Sequence, residues 1–195
     1  MDFLRYRRGW KVYHRIGWDK KSLIKIYAFV YRFLLERPWI KSIIDVGAGN
    51  GIFAEVVIKG LLGWRGIKYE GIDIRPEIAQ EGRRRGWNII TGDFLKLKPK
   101  RRYDLVLVVG VLQDIPVDVS VRQIIEKLLE YGDRVLIVYN HMSDSYDLYR
   151  GIKPDEIREA SEGLVSSMKF WDEAIYKDGR GGKYINYFSA VELVR

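Results

Sequence analysis

From residue 41 onward, short β-branched runs alternate with segments whose apolar residues recur every three or four positions. Residues 42–46, 68–73, 88–91, 104–109 and 134–139 read as strands. Their near-continuous apolar character, Ile43-Ile44-Asp45-Val46 and Leu105-Val106-Leu107-Val108-Val109, suits strands buried on both faces. Between them the spacing predicts helices over 52–62, closed by Gly63; over 76–85, with Pro76 in the first turn and Gly86 past the end; and over 117–131, ending at Gly132. Such alternation means a doubly wound α/β fold, a mostly parallel sheet with helices on both faces. The tail changes character: a helix over 154–161 precedes two strand-like stretches, 165–176 and 184–194, joined by the glycine-rich residues 177–183. A hairpin follows, so the sheet finishes with an antiparallel pair and holds seven strands.

Ahead of this core, Leu23, Ile26, Tyr27, Val30, Phe33 and Leu34 recur at helical spacing, with Lys20, Lys21, Lys25 and Arg32 mostly opposite. They predict an amphipathic helical cap. The organisation expected is a single domain over 1–195, a basic aromatic cap over 1–41 and a core over 42–195, without internal repeat or linker.

Charge sharpens that division. Residues 1–41 hold eleven Lys/Arg against three Asp/Glu, whereas 42–195 hold twenty-three of each, so the whole net charge of +8 lies in the first segment. Rings are interleaved with those cations (Phe3, Tyr6, Trp10, Tyr13, Trp18), a composition that serves phosphate attraction and base stacking. RNA is therefore a candidate partner through residues 1–41, set against a packed helix with a solvated basic face. The clusters Arg83-Arg84-Arg85 and 96–102 precede strands, away from the edge where such sheets bind ligands, and read as solvated surface.

Other chemistries are removed by composition. With no cysteine among 195 residues, thiolate metal sites, disulfides and cysteine nucleophiles are excluded. Only His14 and His141 supply imidazole, too few for a multi-histidine centre, and no metal is expected. The longest apolar run, 105–112, is far below the ~20 residues needed to span a bilayer. No secretory leader follows Met1, so a cytoplasmic protein without membrane contact is expected. Asn and Gln together number seven, which with abundant Lys and Arg fits a thermophilic source.

The strongest local signal is Asp45-Val46-Gly47-Ala48-Gly49-Asn50-Gly51, a strand that runs through G-x-G-x-G into a helix. Glycines there let backbone amides approach a ligand. Twenty-two residues past Gly51, Asp73 ends the next strand, placed to accept hydrogen bonds from both hydroxyls of a ribose. The third glycine stands one place too early for a dinucleotide fingerprint. Asp45 would repel a pyrophosphate and attract an ammonium group, which favours a cationic nucleoside carrying an amino acid. Each residue also has a plainer reading: an empty turn at Gly49 and Gly51, a helix cap at Asp73, a local turn at Asp93.

On these motifs the chain resembles the class I, Rossmann-like S-adenosylmethionine-dependent methyltransferases. Asp45 to Gly51 is similar to that family's first motif, Gly71-Ile72-Asp73-Ile74 to its acidic second, Gly92-Asp93-Phe94 to its third, and 103–109 to its fourth strand. The resemblance implies that Asp45, Gly47, Gly49, Asn50 and Gly51 line the methionine and ribose portion. It implies that Asp73, with Ile74, holds the ribose, that Asp93 meets the adenine amino group with Phe94 beside the ring, and that Gly110 and Val111 border the methionine end.

Methyl transfer needs chiefly an aligned nucleophile and exclusion of water. Candidate bases must lie where the fourth and fifth strands end, at Gln113, Asp114, Asn140 and His141, with Asp114 and His141 as the catalytic candidates. The chain lacks the Asn/Asp-Pro-Pro-aromatic signature of enzymes that methylate base amines. Gln113-Asp114-Ile115-Pro116 is nearer to methyltransferases of small molecules, which often carry histidine at the position of Asp114. Asp114 also has a plainer reading, as a turn toward the next helix. A small-molecule acceptor is expected; RNA methylation and a non-catalytic binding module are the alternatives.

Overall fold

The computed structural model describes residues 20–140, 152–177 and 185–195. Helix α1 (Lys20–Leu35) leads into β1 (Ser42–Val46), α2 (Ala54–Leu61), β2 (Lys68–Asp73), α3 (Pro76–Arg84), β3 (Ile89–Thr91) and β4 (Leu105–Val109). Then follow α4 (Val121–Tyr131), β5 (Arg134–Asn140), α5 (Pro154–Ser161), β6 (Ser167–Lys177) and β7 (Ile185–Val194). One seven-stranded sheet runs β3-β2-β1-β4-β5-β7-β6. Neighbours from β3 to β5 are parallel, and β7 lies antiparallel to both β5 and β6. The order reverses at β1, so the tips of β1, β2 and β4 form the switch-point crevice where such sheets bind ligands.

Two apolar layers sandwich the sheet. Ile44, Val46, Val106 and Val108 face α4 and α5, packing on Ile124, Leu128 and Ile157. On the other face Ile43, Leu105 and Leu107 meet α1 and α2 through Ile26, Val30, Leu34, Val57 and Ile58. The expected amphipathic cap is thus realised over α1, whose Ile26, Val30 and Leu34 are fully buried while Lys25 and Arg32 stay exposed. Residues 1–19, with His14 and most of the expected basic aromatic segment, lie outside the described residues, as do His141 and most of the hairpin connection. Among the described residues no helix is long and apolar enough to cross a membrane.

Two helices differ from the pattern-based expectation. The fourth helix starts at Val121, not residue 117, because Ser120 and Gln123 form a reciprocal capping box that fixes the first turn. Asp114 therefore caps nothing there; it closes a short 3₁₀ turn, Leu112–Asp114. Helix α2 is wound as a π-helix, with the N–H of Leu62 donating to Val57 five residues back. It ends not at Gly63 but through a second 3₁₀ turn, Gly63–Arg65, after which Gly66 takes the left-handed backbone at φ +61°.

Candidate cofactor site at the strand tips

Strand β1 is sheet-bonded on both sides, so its chain must leave upward at Val46. It does so through three glycines in the left-handed region, Gly47 at φ +81°, Gly49 at +59° and Gly51 at +78°. Side chains rarely adopt that backbone, and the loop depends on residues without one. Amides of Gly47 and Ala48 donate to the carbonyl of Ile72 at 2.7 and 3.0 Å, tying the turn to β2. A Cβ at Gly47 would lie 2.1 Å from a Val111 methyl, and one at Gly51 would lie 2.7 Å from the Trp87 ring. Over Gly49 nothing stands within 4 Å of such a carbon. A cradle opens at that glycine.

Asp73, 3% exposed, faces it from the tip of β2. Its Oδ2 accepts from the N–H of Gly49 at 2.9 Å, and the Arg75 guanidinium lies across both oxygens, Nε to Oδ1 and Nη2 to Oδ2, each at 2.9 Å. Instead of capping a helix with its side chain, Asp73 accepts the N–H of Arg75, the residue that precedes α3. Arg75 was not among the residues singled out from sequence, although a cation two places beyond a ribose-type carboxylate is a readable signal.

Asp45 points into the α1–α2 side. Register sets Ile43 beside Tyr69 and Asp45 beside Gly71, which brings the Tyr69 hydroxyl to donate to Asp45 Oδ2 at 2.7 Å. Burial pushes the carboxyl up to about 7, against the lowering effect of that hydrogen bond and with a further push from Asp73. Tyr27 of α1, edge-on to Phe53 at 5.5 Å between ring centres, is pushed up to about 12 by burial and by Asp45. Tyr69 is the partner that sequence reasoning missed. A tyrosine two residues before Gly71, where a Cβ would lie 2.5 Å from that of Ala48, shares its face of the strand, but only the register shows whom it meets.

Asp93 is buried, and its Oδ1 accepts the N–H of Leu95 at 3.1 Å, the local turn that its sequence position allows. Phe94 packs in the α4-side core, and Ile74 is half-buried beside Asp73. Asn50 turns its amide to Glu81 at 3.0 Å, so the loop end is pinned to α3. Past β4, Gly110 adopts φ +65° and Val111 leans on Gly47. Gln113 is buried, its Nε2 donating to the Gly110 carbonyl at 3.1 Å. Asp114 is pushed up to about 7, mainly by burial, partly countered by Arg75 and reinforced by Asp73. The fold thus gathers the tips of β1, β2, β3 and β4, with Asp45, Gly47, Gly49, Gly51, Asp73, Asp93, Gly110, Val111 and Asp114, along one edge.

These residues fit S-adenosylmethionine. An open cradle over Gly49 accommodates a ligand, Asp73 already holds a two-donor fork as it would hold a diol, and Asp45 is a buried carboxyl whose ionisation a cation would favour.

No family model matches the chain. The malonyl-[acyl-carrier protein] O-methyltransferase 1 of Ilyobacter polytropus is 24% identical over 179 residues, 89% of this chain and 61% of that protein. The trans-aconitate 2-methyltransferase of Mycobacterium tuberculosis is 31% identical over 90 residues, 46% of this chain. This chain spans 61% and 33% of the lengths of those two relatives. Among solved structures, magnesium protoporphyrin IX methyltransferase from Synechocystis PCC 6803, with bound S-adenosylhomocysteine, superposes with a TM-score of 0.68 at 17% identity, covering 88% of this chain and 82% of that one. Strand order, glycine turn and acidic tip agree with that likeness, and the chain has the class I, Rossmann-like fold of S-adenosylmethionine-dependent methyltransferases.

Proposed function

We propose that the protein transfers a methyl group from S-adenosylmethionine to a small-molecule acceptor. The observation that carries this reading is the open, left-handed glycine turn facing the Asp73 carboxylate, whose Oδ2 lies 2.9 Å from the Gly49 amide. When bound, the cofactor supplies an electrophilic methyl on a sulfonium, open to in-line displacement. Asp73 holds the ribose hydroxyls, with Ile74 beside them. Gly47 and Gly49 line the cradle without side chains, and Asn50 and Gly51 fix the turn. Asp45 attracts the α-ammonium group; a cation there draws its carboxyl toward the ionised form. Asp93 and Phe94 serve the adenine side, Gly110 and Val111 the methionine end.

Asp114 is the catalytic group in this reading. With its carboxyl raised to about 7, it can take a proton from an acceptor hydroxyl or ammonium near neutrality, which an ordinary surface aspartate does poorly. Gln113 lies in the turn past β4 and Asn140 ends β5, with His141 next in the chain. Both curated relatives carry acceptors in their names, a malonyl group on an acyl carrier protein and trans-aconitate, which supports a small acceptor over RNA. Zero cysteines support work in the reducing cytoplasm.

Incubation with radiolabelled S-adenosylmethionine and a fractionated cell extract tests the proposal. Label in the small-molecule fraction, lost with Asp73→Ala, is the expected result. Label in RNA that disappears as salt rises would transfer the acceptor role to nucleic acid and to the +8 of residues 1–41. Cofactor binding without incorporation into any fraction would leave a non-catalytic module.

A further inference from the structure

An ionised carboxylate offers about four lone-pair positions, and at Asp73 all of them are filled. Oδ1 accepts from the backbone N–H and the Nε of Arg75, and Oδ2 from the Gly49 N–H and the Nη2 of Arg75, each at 2.9 Å. Two of these donors are backbone amides, and the fold keeps them in place. Gly49 is set by its left-handed turn, and Arg75, at φ −89° and ψ 112°, holds the extended backbone favoured in a residue that precedes proline. The other two donors are a guanidinium fork across both oxygens. A vicinal diol presents the same number of donors to the same two atoms. Fork and diol exclude one another.

Exposure decides which partner yields. The Asp73 side chain is 3% exposed and bonded to both amides, whereas the Arg75 side chain is 26% exposed, so solvent already reaches it. Rotation about its flexible stem moves no backbone atom and returns the charge to water. We propose that Arg75 is an autoinhibitory latch: in the ligand-free protein its guanidinium holds the place of the ribose diol on Asp73, and the cofactor binds by expelling it. The inference rests on the cofactor reading above.

The latch sets empty-state stability against affinity. Before the ligand arrives it spares a buried carboxylate from standing without a cation, an arrangement that would destabilise the fold. When the ligand arrives, two charge-assisted hydrogen bonds are exchanged for two from the diol, and the ribose contributes only the difference.

S-adenosylhomocysteine and an analogue lacking both ribose hydroxyls are titrated by calorimetry into the full chain, as wild type and as Arg75→Met, which keeps the stem and loses every donor. The variant is expected to bind S-adenosylhomocysteine about tenfold more tightly than wild type, and the analogue with unchanged affinity. Arg75→Gln, which leaves one amide donor for the buried carboxylate, is expected to show a smaller gain of the same kind and carries the test where Arg75→Met fails to fold. Equal or weaker binding of S-adenosylhomocysteine by the variants overturns the latch, as does an equal gain for the analogue. Absence of binding to wild type and variants alike sinks the cofactor reading and the latch together; binding to the wild type with no gain in the variants sinks the latch alone.

Discussion

At the edge where the parallel strands begin, one buried carboxylate and two exposed ones are matched with cations and amides. Glu192, 5% exposed, accepts from Arg37 Nε at 3.1 Å and Nη2 at 2.7 Å and pairs with Arg134 as well. Asp133 pairs with Arg102 and Arg195, and Asp104 Oδ2 accepts the N–H groups of Lys41 and Ser42 at 2.8 Å. A groove of about 360 Å³ opens on this edge beside Trp39, Arg102, Asp133 and Arg134, whose charges are already paired and whose Arg134 guanidinium lies 4.6 Å from the Trp39 ring centre. At the opposite edge, where the strands end, Asp45 is buried with a phenol as its hydrogen-bond partner, and Asp114 is half-buried and under the electrostatic influence of Arg75, whose guanidinium is paired with Asp73. Burial raises both to about 7. One end uses its charges to hold the sheet; the other has two raised carboxyls, a pattern that clusters at functional sites.

The largest effect that separates the two ends is Glu192→Ala. It strands two half-buried guanidinium groups and should lower unfolding free energy by about 3 kcal/mol in urea titration. S-adenosylhomocysteine affinity should not change; a parallel loss of affinity would show that the ends are not independent. Asp73→Ala is the converse. It removes the acceptor of two ribose donors and should weaken binding by roughly 100-fold in calorimetry. Retained affinity would dismiss the ribose role.

Next in size is Gly49→Val. At φ +59° a β-branched residue costs about 1–2 kcal/mol of stability, and the new side chain fills the open cradle. Affinity for the cofactor should fall at least roughly tenfold. Last is the pH effect of Asp45, read in stability alone. Its folded value, about 7, stands above the ordinary 3.8, so the folded chain holds the proton more tightly and stability falls as pH rises between those values. Asp45→Asn removes this titration while leaving an oxygen for Tyr69. It should melt on the order of 10 °C above wild type at pH 8 and with it at pH 4. Asp114 keeps part of the slope in both proteins.

The comparison also shows what is readable in a sequence. Strands β1, β2 and β4 and the glycine turn are local: β-branched runs, the spacing of Gly47, Gly49 and Gly51, and a carboxylate at a strand end carry them. Pairing across the fold is not local. Arg37 and Glu192 lie 155 positions apart, and nothing in either neighbourhood names the other. The Asp45–Tyr69 contact depends on strand register, and the π-winding of α2 has no signature in an ordinary amphipathic pattern. The Arg75 fork lies between these extremes, adjacent in sequence yet meaningful only once Asp73 is seen with all its lone pairs taken. The start of α4 was legible and misread: Ser120 and Gln123 spell a capping box, but apolar Val117 and Val119 extend the helical pattern upstream.

The most direct test is a crystal structure of the wild-type protein with S-adenosylhomocysteine. The account predicts the ligand along the tips of β1 and β2, its ribose hydroxyls within hydrogen-bond distance of both Asp73 oxygens and its chain over Gly49. A cleft closed by Arg75 on Asp73 at saturating ligand, or a ligand seated elsewhere, would contradict it.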